Sequence, residues 1–266
     1  MVKKNIVYKT NLEAIRARKE KVGKTGKGGK KGYLNLKDGI SYVRIMPNEK
    51  GDPFYDMSLH YNVGVRSGLR CLRSIEKACV VCDFGWDLYN EAKDSGSKKT
   101  LDRARDILPK QRYFANVVER GKEEEGSKIW GFSETVYESL IGFFLDPDYG
   151  DLADIDQGFD IKIIYGKKKD ERFATTTVSP RPKTSTLLPK GAKITLEELF
   201  DGVVDIEGQF VYKSEEEVEE VLQKFIQSQS EDEASRNDDG EEGEGEGEEE
   251  PEGKDVEDAW NETVAD

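Results

Sequence analysis

Short runs of alternating apolar and polar residues, closed by Gly, Pro, Asp or Asn, recur through the middle of the chain. Ile40–Met46 alternates and stops at Pro47. Met57–Val63, Arg112–Val118, Lys128–Phe132, Phe159–Tyr165 and Glu171–Val178 follow, rich in β-branched and aromatic residues, and predict strands. The last two flank a basic Gly-Lys-Lys-Lys-Asp stretch, which predicts a hairpin. Helical periodicity is interleaved at 83–92, 101–107 and 133–144. In the last of these, Val136, Leu140, Phe143 and Phe144 share one face and Ser133 heads it. Over 214–228, Ser214 and Glu217 have capping-box spacing, and Val218, Val221, Leu222, Phe225 and Ile226 form a stripe expected to pack on the body and close the domain. Five or six short strands with few helices predict a mainly β fold with helical insertions, built as a small barrel.

The two ends do not follow this pattern. Residues 9–21 read as a short helix capped by Asn11, with Leu12 and Ile15 its large apolar side chains. Residues 23–32 are Gly and Lys with one Thr, a basic linker without the spacing of a phosphate-binding Gly-Lys-Ser/Thr loop. From 231 the chain is Glu, Gly, Asp and Ser, which cannot bury a core, until Trp260 and Val264 appear among acids. Charge makes the division sharper. Residues 1–37 carry twelve Lys/Arg against two Glu, and 231–266 carry eighteen Asp/Glu against two basic residues, so the net charge of −14 hides a basic head and an acidic tail. The organisation read from this is a basic arm (1–37), a core (38–230) and a disordered acidic tail (231–266). With no apolar run long enough for a membrane span and no signal sequence, a cytosolic protein is expected.

The only histidine and all three cysteines fall within one window: His60, Cys71, Cys79 and Cys82. A Cys-x2-Cys pair turns tightly enough for two thiolates to share one tetrahedral metal, and His60 and Cys71 complete the set. Four protein ligands leave no open position, so one structural zinc is expected, in a subdomain of about 57–95. With the histidine committed, hydrolytic nucleophile systems lack a base. The Asp146/Asp148 and Asp154/Asp156 pairs read as solvated turn acids before they read as a magnesium site. The protein is not expected to be an enzyme.

Aromatic residues alternate with basic ones at Lys110, Arg112, Tyr113 and Phe114, at Arg172 and Phe173, and from Lys37 to Arg44 around Tyr42. Tyr61 follows the histidine; Trp86 and Tyr89 follow the last cysteine. Such residues can stack bases while cations neutralise phosphates. Neighbours on a strand point to opposite faces, so of Tyr113 and Phe114 one is expected in the core and one at the surface.

The order of these features carries a resemblance. A basic arm, the strand with Ile40, Arg44, Ile45 and Pro47, His60, Cys71, the Cys-Val-Val-Cys turn, Asp-Leu-Tyr-Asn (87–90), Arg-Tyr-Phe-Ala-Asn (112–116), a hairpin and an acidic tail resemble the single-stranded-DNA-binding, helix-destabilising proteins of T-even-like phages. The resemblance implies an OB-fold core with a zinc subdomain beside the cleft. It implies cooperative coating of single strands in replication, recombination and repair. The acidic tail, a polyanion mimic, is expected to regulate binding and to recruit replication proteins around Trp260. It places DNA contacts at Tyr89, Tyr113 and Phe114, and the protein in the cytoplasm of an infected host cell. The family's Lys-Arg-Ser-Thr-type cooperativity motif is not matched; Val2-Lys3-Lys4-Asn5 stands there instead. A zinc-stabilised adaptor that binds only proteins and a metal-dependent nuclease are the rival readings.

Overall fold

The computed structural model describes residues 32–167 and 174–238, with 231–238 described by backbone alone. The expected helix at 9–21, all of the basic linker but Gly32, Arg172, Phe173 and Trp260 lie outside the described residues. The chain divides into a unit ending at Leu222 and a second beginning at Gln223.

Among the described residues, the first unit is built on one antiparallel sheet of seven strands: β1 (Gly39–Ile45), β2 (Phe54–His60), β3 (Leu69–Arg70), β4 (Lys110–Glu119), β5 (Ser127–Phe132), β6 (Gly158–Gly166) and β7 (Thr175–Ser185). The order is β3-β2-β4-β1-β6-β7, with β5 paired to β4. β4 is the spine. β2 pairs with its first half, from Leu59 opposite Lys110 to Phe54 opposite Ala115, and β1 pairs with its end, from Ile45 opposite Val117 to Val43 opposite Glu119.

β4 lacks a clean alternation because both of its faces are covered. Val43, Ile45, Ala115, Val117, Ile161 and Ile163 pack with Trp130, Phe132, Val136 and Leu140 on one side. On the other, Ile206 and Phe210 cover Met57, Leu59, Phe114 and Ile129, and Leu187 and Leu199 cover Met46 and Val118. Phe114 to Val118 are therefore all buried.

The helices are α1 (Val80–Ser95), α2 (Lys98–Ile107), α3 (Glu134–Leu145), α4 (Leu196–Asp201), α5 (Ile206–Gln209) and α6 (Glu215–Asp238). On α3, Val136 and Leu140 are buried and Phe143 and Phe144 pack beside them, as the periodicity predicts. Ser133 is its N-cap but makes no side-chain capping hydrogen bond. At α6 the capping box is formed: the Glu217 amide donates to Ser214 Oγ (3.2 Å) and the Ser214 amide to the Glu217 carboxylate (2.9 Å). Val218 and Leu222 are buried within the first unit. The α6 backbone runs on to Asp238, beyond the expected end at 228. Among the described residues no helix is long and apolar enough to cross a membrane.

β3 answers to no expected strand, and two expected strands differ from expectation for local reasons. β2 starts at Phe54 and ends at His60 rather than covering Met57–Val63; Asn62 (φ 59°) and Gly64 (φ 81°) turn the backbone left-handed just beyond it. β7 begins at Thr175 and continues through Pro180 and Pro182, where the expected strand ended at Val178. It lies at the end of the sheet, where a residue without an N–H can be accommodated.

Arg44 is a further correction. Expected beside Tyr42 as a surface cation, it is fully buried. Its guanidinium donates to the carbonyls of Leu152, Asp154, Phe159 and Ser185. Burial lowers its pKa to about 10, the Arg120 cation adds to this and Asp160 opposes it, so Arg44 stays charged at neutral pH.

Candidate metal centre and nucleic-acid interface

His60 is the last residue of β2, and Cys71 follows β3, its antiparallel partner. Cys79 is the N-cap of α1 and Cys82 lies in its first turn. All four side chains are buried, and their donor atoms lie within 4.8 Å of one another. Cys71 and Cys82 sulfurs are 3.4 Å apart, and His60 Nε2 is 3.4 Å from Cys79 Sγ and 3.6 Å from Cys82 Sγ. A tetrahedral zinc with bonds of about 2.3 Å to sulfur and about 2.0–2.1 Å to nitrogen spaces its ligands by comparable distances, so the cluster fits such an ion. His60 Nδ1 is 2.9 Å from the Ile107 carbonyl. Donation there leaves Nε2, the nitrogen facing the sulfurs, as the metal-binding atom.

The electrostatics of the cluster call for a cation. Burial alone disfavours an imidazolium at His60, yet hydrogen bonds with the Cys71 and Cys79 sulfurs outweigh it and raise the pKa to about 9. Cys79 is pulled well down by hydrogen bonds from Cys71 and Cys82, while Cys82 is pushed well up by Cys71 and Cys79. Three close thiols cannot all ionise without a positive charge among them.

The contact at Ile107 ties the cluster to α2, the helix that leads into β4. A Cβ on Gly85 would lie 3.0 Å from the Leu108 side chain, so glycine lets α1 pass close to the α2–β4 junction.

On α1, beyond the cysteines, Trp86 is 40% exposed and packs edge-to-face on Tyr89, with ring centroids 5.4 Å apart. Lys93 lies 5.0 Å from the Tyr89 ring. Spacings of three and four residues place all three on one helix face. The sequence reading missed Lys93, although its position four residues after Tyr89 is a usable signal. At β4, the Arg112 guanidinium sits 5.6 Å over the Tyr61 ring. Burial pushes the Tyr61 hydroxyl up, and Arg112 pulls against it. Lys110 is exposed, 3.8 Å from Asp106. A further cation–aromatic pair, Arg70 at 4.2 Å from the Tyr212 ring, joins residues too distant in sequence for any local pattern to reveal.

Tyr113 and Phe114 divide as strand geometry requires. Phe114 is the core residue, 4.8 Å from Phe210, which removes it from the candidate base contacts. Tyr113 is half-buried and stacked on Tyr137, 3.9 Å between centroids and 6° from parallel. Burial raises its pKa, with Glu134, Tyr137 and Asp56 adding to the effect, so acids flank this ring. The aspartate pairs close turns: Asp146 accepts from the Asp148 amide, and Asp154 from those of Asp156 and Gln157.

A β-sheet core that carries partly exposed cation–aromatic pairs beside a buried Cys/His cluster has the makeup of a nucleic-acid-binding module. Residues 37–228 match the family described as gp32 DNA binding protein like, and the chain belongs to that family. The sequence blocks between 40 and 178 fall inside the matched region. Comparison with curated proteins gives no match.

Proposed function

We propose that this is a non-catalytic, sequence-tolerant single-stranded-DNA-binding protein with an OB-type barrel and one structural zinc. The observation that carries the reading is the Trp86–Tyr89–Lys93 face on the helix whose first turn holds two of the four metal donors. A metal at the cluster pins that helix, and the pinned helix presents rings and an amine to a strand. Arg112 over Tyr61 and the exposed Lys110 add charge and a second ring. Tyr113 and Phe114 are engaged in packing and are left out of this set.

Titration of labelled oligo-dT with the zinc-loaded chain, with and without Mg²⁺, tests the reading. Salt-sensitive binding without cleavage is expected, with log K falling against log salt by about 0.7 per neutralised phosphate. Trp86→Ala and Tyr89→Ala should each weaken binding by about 1–3 kcal/mol. Cleavage would indicate a nuclease; absence of binding would leave a protein adaptor.

The wider role in this reading is coating of single strands in phage DNA replication, recombination and repair, in the cytoplasm of an infected host. The basic arm supports self-association along the strand, and the acidic tail regulates binding and recruits replication proteins around Trp260. Polyanion mimicry by the tail supports this. Removing 231–266 should tighten oligo-dT binding, read by the same titration; weaker binding would count against a regulatory tail.

A further inference from the structure

One face of the sheet is covered along β4 and at Arg44 and Asp160, but open toward the Ile40 end of β1 and the Ile164 end of β6. The register sets Ile40 opposite Ile164, Tyr42 opposite Lys162 and Arg44 opposite Asp160. These six alternate with Val43, Ile161 and Ile163, which face the main core, so they lie on the opposite side. On that side Leu187 and Leu199 cover Met46 and Val118. Ile40 and Ile164, directly paired, remain 56% and 44% exposed. Thr177 and Ser179 of β7 continue the rows beside Ile164 and Lys162.

The chemistry of this strip is specific. Arg181 lies 5.0 Å from the Tyr42 ring. It is also 3.8 Å from Asp160 Oδ2, while Arg120 at 2.6 Å and the Ser185 hydroxyl at 2.7 Å hold the other oxygen of that carboxylate. The Arg181 side chain is still more than half exposed, leaving donors for another anion. Lys162 and Lys183 lie on the same two strands. Asp160, the acid set against them, is buried. A half-buried ring, an exposed aliphatic pair and the cations Lys162, Arg181 and Lys183 suit a polyanion that carries flat apolar groups. Single-stranded nucleic acid has that chemistry.

We infer that the outer face of β1, β6 and β7 is a second contact for the bound strand, with Tyr42 stacking a base and Lys162 and Arg181 meeting phosphates. The inference rests on the proposed single-strand binding and adds a separate surface to it. Of the cations expected around Tyr42 from sequence, Arg44 is buried, and Lys162 and Arg181 stand beside the ring's strand position instead.

The test uses the full, zinc-loaded chain and its Tyr42→Ala, Lys162→Ala and doubly substituted forms. With an oligo-dT of roughly 16 nucleotides, the double variant should bind roughly tenfold more weakly. Its salt slope should be shallower by about 0.7 for the phosphate lost. With an oligomer of roughly 5 nucleotides, enough only for the α1 face, all forms should bind alike. Photocrosslinking of unmodified protein to iodouracil-substituted oligomers should label the peptide containing Tyr42, a readout that needs no variant. Unchanged affinity and slope on the long oligomer, or crosslinks that spare that peptide, overturn the inference. Loss of self-association in the Tyr42→Ala form with DNA affinity intact would assign the face to a second copy and also overturn it. If the unmodified chain fails to bind oligo-dT, the functional reading itself falls, and that outcome is distinct because the parent protein shows it.

Discussion

Cys79→Ser protein should retain well under one zinc per chain and melt about 10 °C below the parent. The four donors come from three places, the end of β2, the residue after β3 and the start of α1. Without the ion, each place must hold buried thiols and an imidazole that no longer share a cation. A loss of roughly 3 kcal/mol converts to that shift at roughly 2–4 °C per kcal/mol for a domain of this size. Because His60 contacts Ile107 and Gly85 lies against Leu108, disorder in the lobe should extend into α2 and the start of β4. DNA affinity should therefore fall together with zinc content, measured by metal analysis, melting and oligo-dT titration on one preparation. Full folding and full affinity without zinc would contradict a structural role.

Protons should compete with the metal in the same site. Zinc is bound by thiolates and a neutral imidazole, so binding releases protons and affinity must rise with pH. His60, raised to about 9 in the metal-free cluster, and Cys82, pushed up by its neighbours, are both protonated at neutral pH and must give up those protons to the metal. Competition with a chelator at about pH 6 and about pH 8 should show tighter zinc binding at the higher value. Affinity that does not vary with pH would mean that these side chains are not the ligands.

Arg44→Met should destabilise the first unit by about 3–5 kcal/mol while leaving metal content as in the parent protein. Methionine keeps the apolar stem but leaves four carbonyls, those of Leu152, Asp154, Phe159 and Ser185, short of a donor. It also removes a cation from the buried surroundings of Asp160. Arg44→Lys should recover only part of the loss, since a compact ammonium cannot span the planar fork. Gly158→Ala should be costly for the same reason from the other side, because a Cβ there would overlap the Arg44 guanidinium and the Leu152 carbonyl. Urea unfolding beside metal analysis separates this effect from damage around the Cys/His cluster. Stability unchanged in Arg44→Met would mean that those carbonyls find other partners.

The elements were legible where local chemistry sets them. β1, β4, β5 and β6 and the helices α1 to α3 lie close to the stretches read from periodicity, and the Ser214 capping box forms as spaced. The misses share a cause. β7 passes through two prolines, and only its position at the end of the sheet makes that tolerable. α4 and α5 are one or two turns long, too short for a periodic signal, and form where Leu199 and Ile206 find the sheet to cover. The metal cluster was legible because every soft ligand sits within one short stretch of chain. The nucleic-acid surface was legible only in composition, because an aromatic beside a cation in sequence need not be exposed or paired with it in space.

What the chain by itself determined is therefore the donor set His60, Cys71, Cys79 and Cys82, the strand and helix alphabet, and the kinship carried by the blocks between 40 and 178. These rest on residue type and spacing, which act over a few bonds or turns. The tertiary structure decided which rings remain available. It buried Phe114, stacked Tyr113 on Tyr137, sank Arg44 beneath a loop, and gave Tyr42 a new cation from β7. Strand pairing brings together residues more than a hundred positions apart, and burial depends on what then packs across each face, so no local pattern contains that information.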